Sequence, residues 1–271
     1  MKAEPVIRQH RTTLDFLRHI RAFSPVFLDT DVDMSGVRAH RAAGRRYSTV
    51  TYALHAAAGV LARHPHANAH LAGGRRPKVM RYPAVSGKFA MDKTFGGQRV
   101  VMTAVLPGLD TASLDEIQDR VEHYRTGDPD TMPEYERVRR MQRLPGPLRA
   151  ALFGVAARSL ALRPSVFGTF AVSSLGHRAV DGFYSVGGTT ITLGLGRIAD
   201  RPVVRDGGLG IAPLMRMTLT FDHRVIDGAE AADVLTEIKA ALEAYAAPAE
   251  SPAVTQAVTE TTAQPVGVGR E

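Results

Sequence analysis

The chain has 271 residues, a formal net charge of +7 and 44% hydrophobic residues, which suits a globular protein of one large domain or two small ones. It contains no cysteine, which excludes disulfides, thiolate metal sites and cysteine nucleophiles. No window reaches the ~20 apolar residues of a membrane span and the N-terminus lacks a signal-peptide stretch, so we expect a cytoplasmic protein. Basic residues are scattered and aromatic residues make up 6%, which argues against a nucleic-acid partner but suits a phosphate-bearing ligand.

The first half of the chain mixes helical and strand patterns. Apolar residues recur at helical spacing in some segments and alternate with polar residues in others. In chain order, we predict a helix over 6–22, a strand over 25–34, a helix over about 50–64, a strand over 100–108 and a helix from Thr111 or Ser113. Ser48 and Thr49 offer an N-cap to the second of these helices.

The second half reads as strands followed by one long helix. Strand-like segments run from about 167 to 221, with Asp206-Gly207 as a hairpin turn signal, and a continuous apolar stripe predicts a helix over 228–245. Strands and helices do not alternate strictly, which favours an α/β fold of the α+β type, a mixed sheet with helices packed on it. We assign 1–246 to one domain and predict that 247–271, which has no periodicity, is a disordered tail.

Residues 127–166 form a basic insertion within this domain. They predict two basic amphipathic helices, broken at Pro145-Gly146-Pro147. One interpretation is a packed helical hairpin with its arginines in water. The alternatives are a lid over a ligand pocket and a contact with a membrane surface.

The junction between the last strand and the last helix concentrates polar groups. His223 comes where the strand ends, and Asp227 stands one place before the helix, with Glu230 three residues later. This is a capping-box arrangement, and a structural role would suffice to explain it. The chemical alternative is a neutral imidazole that takes a proton from a thiol or hydroxyl beside an orienting aspartate.

Several longer stretches resemble one family. "DHRVIDGAEAADVL" resembles the signature of the acyltransferase component of 2-oxo-acid dehydrogenase complexes, the dihydrolipoamide acyltransferases. Their catalytic domain shares its fold with chloramphenicol acetyltransferase. The other similar stretches are "GTFAVSSLG", "PVVRDG", "SPVFLDTDVDM" and "HPHANA". The resemblance covers roughly 6–126 and 167–245.

This resemblance implies roles for four residues. His223 falls on the family's general base and Ser173 on its oxyanion-stabilising hydroxyl. Asp227 matches the aspartate that fixes the architecture of the site, and Gly228 the glycine that lets the turn close. It also implies a homotrimer, or an assembly of trimers, in which serine and histidine come from neighbouring subunits. Coenzyme A or its thioester is then a substrate, and the acceptor is a small molecule or a group carried by another protein. The resemblance also makes Arg8 or Arg11 a candidate counter-ion for Asp227.

Other motifs carry weaker predictions. "MDK" (91–93) superficially resembles a lipoylation site but is better explained as a surface turn, so a lipoyl substrate would be carried by another protein. His64, His66 and His70 are crowded, yet no carboxylate is near in sequence and we predict no metal. "LGLG" (193–196) lies within a strand and is predicted not to be a dinucleotide site. "RRPK" (75–78) is predicted to be a solvated loop or a coenzyme A contact. A noncatalytic trimeric core and a module that binds membranes or anionic partners remain alternative functions.

Overall fold

The structure, a computed structural model, describes residue 7 and residues 10–73, 76–159 and 161–246. The helices are α1 (His10–Ile20), α2 (Ser35–Ala43), α3 (Thr49–Leu61), α4 (Leu114–Thr126), α5 (Glu136–Arg143), α6 (Gly146–Arg158), α7 (Arg163–Phe167) and α8 (Gly228–Glu243). The strands are β1 (Pro25–Asp33), β2 (Ala69–Ala72), β3 (Lys78–Arg81), β4 (Gly87–Phe95), β5 (Gln98–Leu106), β6 (Phe170–Ser174), β7 (Ile191–Arg205) and β8 (Gly208–Asp222). The predicted tail, 247–271, and Arg8 lie outside the described residues.

Six of these strands form one mixed sheet in the order β1-β8-β7-β6-β4-β5. β6 runs parallel to both β7 and β4, and the other neighbours are antiparallel. β2 and β3 form a separate two-stranded ladder. The prediction of a mixed sheet flanked by helices is therefore confirmed.

The hydrophobic core lies between one face of this sheet and helices α2, α3, α4 and α8. On β8 the alternating residues Met215, Met217, Leu219 and Phe221 are all at most 1% exposed and belong to this core. The helix α8 adds its predicted stripe, of which Val234 and Ile238 are fully buried. Burying a side chain of this size stabilises the fold by roughly 1.5–3 kcal/mol, so the stripe fixes α8 on the sheet.

The opposite face of the sheet is covered by the loop that precedes β7. Thr218 is 1% exposed, and its hydroxyl donates to the carbonyl of Phe183 at 2.7 Å. A Cβ built on Gly194 would lie 2.5 Å from the same carbonyl oxygen, and one on Gly196 would lie 1.9 Å from the Asp181 carbonyl. Gly194 and Gly196 therefore let a loop lie directly on the strand.

The predicted N-terminal caps of two helices, α3 and α4, are confirmed. The Ser48 side chain accepts from the Thr51 backbone N–H, and Ser113 forms a complete capping box with Glu116. The "MDK" prediction is wrong, because residues 91–93 lie within strand β4 and pair with β5. The Asp92 carboxylate there accepts a bidentate pair of hydrogen bonds from Arg99 on the neighbouring strand, which a single sequence does not show.

The insertion folds as α5, α6 and α7, preceded by a 3-10 turn at Pro133–Tyr135. The predicted break near Pro145 is confirmed, since α5 ends before it and α6 begins after it. The prediction that the arginines are in water is wrong for two of them. Arg149 is 6% exposed and pairs with Asp15 of α1 at 2.7 Å, and Arg163 is 5% exposed. The helices of the described residues are all too short or too polar to cross a membrane.

Candidate active site

The candidate site lies at one edge of the sheet, where β8 ends and β1 begins. Asp222 is paired with Pro25, and the chain then turns through 223–227 into α8. The backbone N–H of His223 donates to the carbonyl of Ser24 at 3.0 Å, and that of Val225 donates to the Asp222 carbonyl at 2.9 Å. These bonds hold the turn against the strand and fix the position of the histidine backbone.

Asp222 anchors this turn through its side chain. It is 3% exposed, and Arg224 donates to both of its carboxylate oxygens, at 2.8 and 2.6 Å. The same carboxylate also accepts from the backbone N–H groups of Arg224 and Ser24. Our sequence interpretation missed this role, although an acidic and a basic residue on either side of His223 are the signal for it.

The imidazole of His223 is half exposed, with 48% of its side chain accessible. Its Nδ1 lies 3.7 Å from Oδ1 of Asp227, which is beyond hydrogen-bond distance. A ring held by its backbone but open to solvent on one side can meet a substrate group. The geometry within one protomer is therefore compatible with a proton acceptor.

Asp227 does not cap α8 with its side chain, so the capping-box prediction is wrong. Its side chain is 90% exposed, and within the described chain its one ionic neighbour inside 4.0 Å is His223. Glu230, the expected partner, instead contacts Nδ1 of His64 at 3.1 Å. Arg11 is exposed and does not pair with Asp227 in the protomer.

Gly228 is the first residue of α8, and the described protomer leaves space for a side chain at this position. A Cβ built on it would meet no atom within 4 Å, and its φ lies outside the left-handed region. The turn of a single chain therefore gives no steric reason for glycine here. Its role in closing the site stays a prediction about what approaches from outside the chain.

Ser173 is remote from His223 within the same chain. It pairs with Gly194 on β7, which pairs with Thr218 on β8, five positions before His223. At about 4.8 Å per strand and 3.3 Å per residue, the two Cα atoms lie roughly 19 Å apart. The structure thus places serine and histidine on one sheet but does not bring them together in one protomer.

Three basic groups lie partly or fully buried near this edge of the sheet, where burial disfavours their charged forms. Burial, with a smaller effect of Arg163, lowers the pKa of Lys88 to about 7 and that of His70 to about 4. Burial and nearby arginines, including Arg163 and Arg224, lower the pKa of His19 to about 4. Lys88 donates to the carbonyl of Gly187, so this buried amine holds the loop before β7.

The three crowded histidines have separate partners. Nε2 of His64 contacts Glu237 at 2.9 Å, the ring of His70 stacks on Tyr82 at 5.2 Å, and His66 lies beside Arg81. Two carboxylates do approach His64, contrary to our reading of the sequence, but they come from α8. No group of three metal-binding side chains occurs in the part of the chain that the structure describes.

Comparison with known proteins identifies the same segment. Residues 154–249, which include Ser173 and His223, match the family model of the 2-oxoacid dehydrogenases acyltransferase (catalytic domain). The acetyltransferase component of the Bacillus subtilis pyruvate dehydrogenase complex is 53% identical over 47 residues, 17% of this chain and 11% of that protein. The mitochondrial succinyltransferase component of the Bos taurus 2-oxoglutarate dehydrogenase complex is 43% identical over 91 residues, 31% of this chain and 19% of that protein. The match thus spans less than a fifth of these curated relatives.

Solved structures share the fold over most of the chain. A probable dihydrolipoamide acetyltransferase from Listeria monocytogenes 4b F2365 has a TM-score of 0.67 at 18% identity, covering 97% of this chain and 98% of that one. The dihydrolipoamide acetyltransferase of Azotobacter vinelandii has a TM-score of 0.68 at 20% identity, covering 90% and 92%. The cubic core of a pyruvate dehydrogenase complex gives 0.68 at 21%, with the same coverage. The chain therefore has the fold of these acetyltransferase cores, and it resembles the catalytic domain of the 2-oxoacid dehydrogenase acyltransferases.

Proposed function

We propose that the protein is an acyltransferase that moves an acyl group between a coenzyme A thioester and a thiol, hydroxyl or amine. The observation that carries this proposal is the half-exposed imidazole of His223 on the Asp222-anchored turn. The turn lies inside the segment that matches the acyltransferase catalytic domain. Asp227, 3.7 Å from the ring, is proposed to orient it.

The proposed reaction is a direct transfer without an acyl-enzyme. His223 takes the proton of the acceptor as a new bond forms between the acceptor atom and the thioester carbonyl carbon. The carbonyl oxygen then carries a negative charge, which a hydroxyl donor stabilises by ~3–4 kcal/mol. When the tetrahedral intermediate collapses, the carbon–sulfur bond breaks and the coenzyme A thiolate takes the proton back from the imidazolium.

The oxyanion donor is proposed to be Ser173 of a neighbouring copy. Within one chain Ser173 is two strands and five residues away from His223, too far to act on the same carbonyl. A neighbouring copy supplies the serine without deforming the sheet, and a homotrimer provides one such contact for each histidine. The structure of the Azotobacter vinelandii relative was solved to examine a serine, a histidine and an asparagine in its catalytic mechanism, which supports a joint role of a serine and a histidine.

The long β7–β8 hairpin supports assembly. It continues past the register of β1, which ends opposite Leu214, and its tip exposes Val204, Leu209 and Ile211 by 73%, 82% and 79%. Three large apolar side chains on a protruding ribbon are suited to burial against another subunit. We propose that this arm packs on a neighbouring copy in a trimer, and that trimers are the unit of any larger assembly.

The formal net charge of +7 suits an anionic donor such as a coenzyme A thioester. The acceptor is proposed to be a small molecule or a dihydrolipoyl group carried by another protein. The cytoplasm, where acyl-coenzyme A is made and used, is the proposed location. No metal is needed for this chemistry.

The test is a thioester-cleavage assay with short and long acyl-coenzyme A donors, with and without dihydrolipoamide. We expect release of free coenzyme A that depends on the acceptor and falls at least 100-fold in His223→Ala, because a positioned base contributes 10²–10⁴-fold. His177→Ala, which changes an exposed histidine after β6, is the matched control. Trimers without turnover on any donor would instead support a noncatalytic core.

A further inference from the structure

Helix α6 has the opposite polarity to an ordinary surface helix, because it buries a charged side chain and exposes apolar ones. Its buried side carries Arg149, paired with Asp15, whereas its outer side carries Leu148, Leu152 and Val155 at 49%, 45% and 61% exposure. A helix that is apolar on its outer side as well is normally covered. We therefore expect this face to be buried against another molecule or surface.

The apolar surface continues onto the neighbouring helices. α7 adds Val166 at 42% exposure and α1 adds Leu17 at 46%. Both helices are fixed against α6, because the ring of Phe167 lies 5.6 Å from that of Phe153 and 6.3 Å from that of Phe16. We call this surface the α1–α6–α7 face. It is held by a buried ion pair and an aromatic cluster, so it is a stable feature rather than a frayed segment.

The charges around this face are of one sign. Residues 144–167 contain three arginines and neither aspartate nor glutamate. The one carboxylate of α1, Asp15, is 4% exposed beneath Arg149. Arg18, Arg21 and Arg158 lie on these helices or directly after them and are exposed, and Arg18 also donates to Asp15 at 3.1 Å. An occupant must therefore offer apolar material in the centre and negative charge at the edge.

We propose that the α1–α6–α7 face docks on an anionic lipid surface. Leucine and valine side chains would enter the boundary between headgroups and acyl chains, and the exposed arginines would contact lipid phosphates. A second copy presenting the same face would bring arginine against arginine, which opposes a two-fold dimer through it. A contact with a different face of a neighbouring copy is the alternative that the experiment below separates. This docking does not depend on acyl transfer and stands beside the proposed activity.

The experiment is co-sedimentation of the full-length protein with vesicles of phosphatidylcholine alone or mixed with 30% phosphatidylglycerol. We expect binding to the anionic vesicles that weakens at least 10-fold when salt rises to 1 M, where charges are screened beyond ~3 Å. Leu152→Asp and Val155→Asp are each expected to weaken it at least 10-fold. Val101→Asp, on the 71% exposed valine of β5, is the matched control and should bind like the wild type.

Two results would overturn the proposal. One is vesicle binding that Leu152→Asp and Val155→Asp leave unchanged while circular dichroism shows both variants folded. The other is a lower oligomeric state of these variants in sedimentation velocity without lipid, which would assign the face to a subunit interface. Loss of acyl transfer in His223→Ala with unchanged vesicle binding would keep the two proposals separate.

Discussion

Asp222, which is buried, and Arg224, which is partly buried, form a bidentate ion pair with His223 between them in sequence. The pair joins the end of β8 to the turn, and Asp222 also accepts from the backbone of Ser24 at the start of β1. The exposed Asp227 has no comparable set of bonds. Asp222 is therefore the residue that positions the histidine within one protomer.

We predict that Asp222→Asn destabilises the fold by about 2–4 kcal/mol, because it leaves the Arg224 guanidinium partly buried without its counter-charge. Denaturant unfolding followed by circular dichroism measures this. Asp92→Asn, which breaks the exposed pair with Arg99, is the control and should shift the midpoint much less. Equal shifts for the two variants would contradict the anchoring role.

For the proposed interface, we predict complementation between two inactive variants. Ser173→Ala and His223→Ala should each slow acyl transfer at least 100-fold while leaving the fold intact. Trimers that contain both kinds of chain should regain part of the activity, because some contacts then join an intact serine to an intact histidine. Mixed trimers as inactive as either parent would show that serine and histidine do not act across chains.

For the hairpin arm, we predict that Leu209→Asp weakens self-association. A charge on a residue that is 82% exposed in the monomer costs little there but opposes burial against a neighbour. Sedimentation velocity at several concentrations should show a shift toward monomer. Val101→Asp serves again as the control, and an unchanged oligomer in Leu209→Asp would remove the arm from the interface.

We predict that the contact of His64, in the turn after α3, with α8 stabilises the fold to a degree that depends on pH. Burial lowers its pKa, but the contacts with Glu237 and Glu230 outweigh this effect and raise it above the ordinary value. The protonated form is thus stabilised by folding, and this contribution is complete below about pH 6.5 and is lost as pH rises through the folded pKa.

Thermal unfolding of His64→Gln between pH 5.5 and 8.5 measures this link. The variant should lose most stability relative to the wild type at the acid end, and the difference should shrink toward pH 8.5. His66→Gln, in the same turn but exposed, is the control. A difference that stays constant across this range would argue against the ionic contact.

For Lys88 we predict an effect on stability that changes with pH in the opposite direction, from a penalty at low pH to none at high pH. Its pKa of about 7 lies below that of a free lysine, so folding disfavours the protonated form. The penalty is complete below pH 7 and fades as pH rises toward the ordinary value near 10.4. Lys88→Met removes the charge, and its stability relative to the wild type should be greatest at pH 6 and should fall toward pH 10. Denaturant midpoints at several pH values test this, and a relative stability that rises with pH would contradict it.

The elements that could be predicted from the sequence are those whose signals are local. Ser113 and Glu116 lie within one helical turn, so their capping box is visible as a pattern of four residues. The alternation of β8 and the stripe of α8 follow from the periods of a strand and a helix. The family motif also identified His223 and Ser173 before any coordinates, although their roles stay proposals.

The tertiary structure decided which side chains meet across distant segments. Asp15 lies 134 positions from Arg149, and Glu230 lies 166 positions from His64, so neither contact has a sequence period that would reveal it. The same applies to β4, where the "MDK" stretch becomes a strand because it pairs with β5. Local backbone preference and hydrophobic period are properties of neighbouring residues and can be read from the chain. Ion pairs, strand neighbours and the separation of Ser173 from His223 depend on how the whole chain packs, and only the fold determines them.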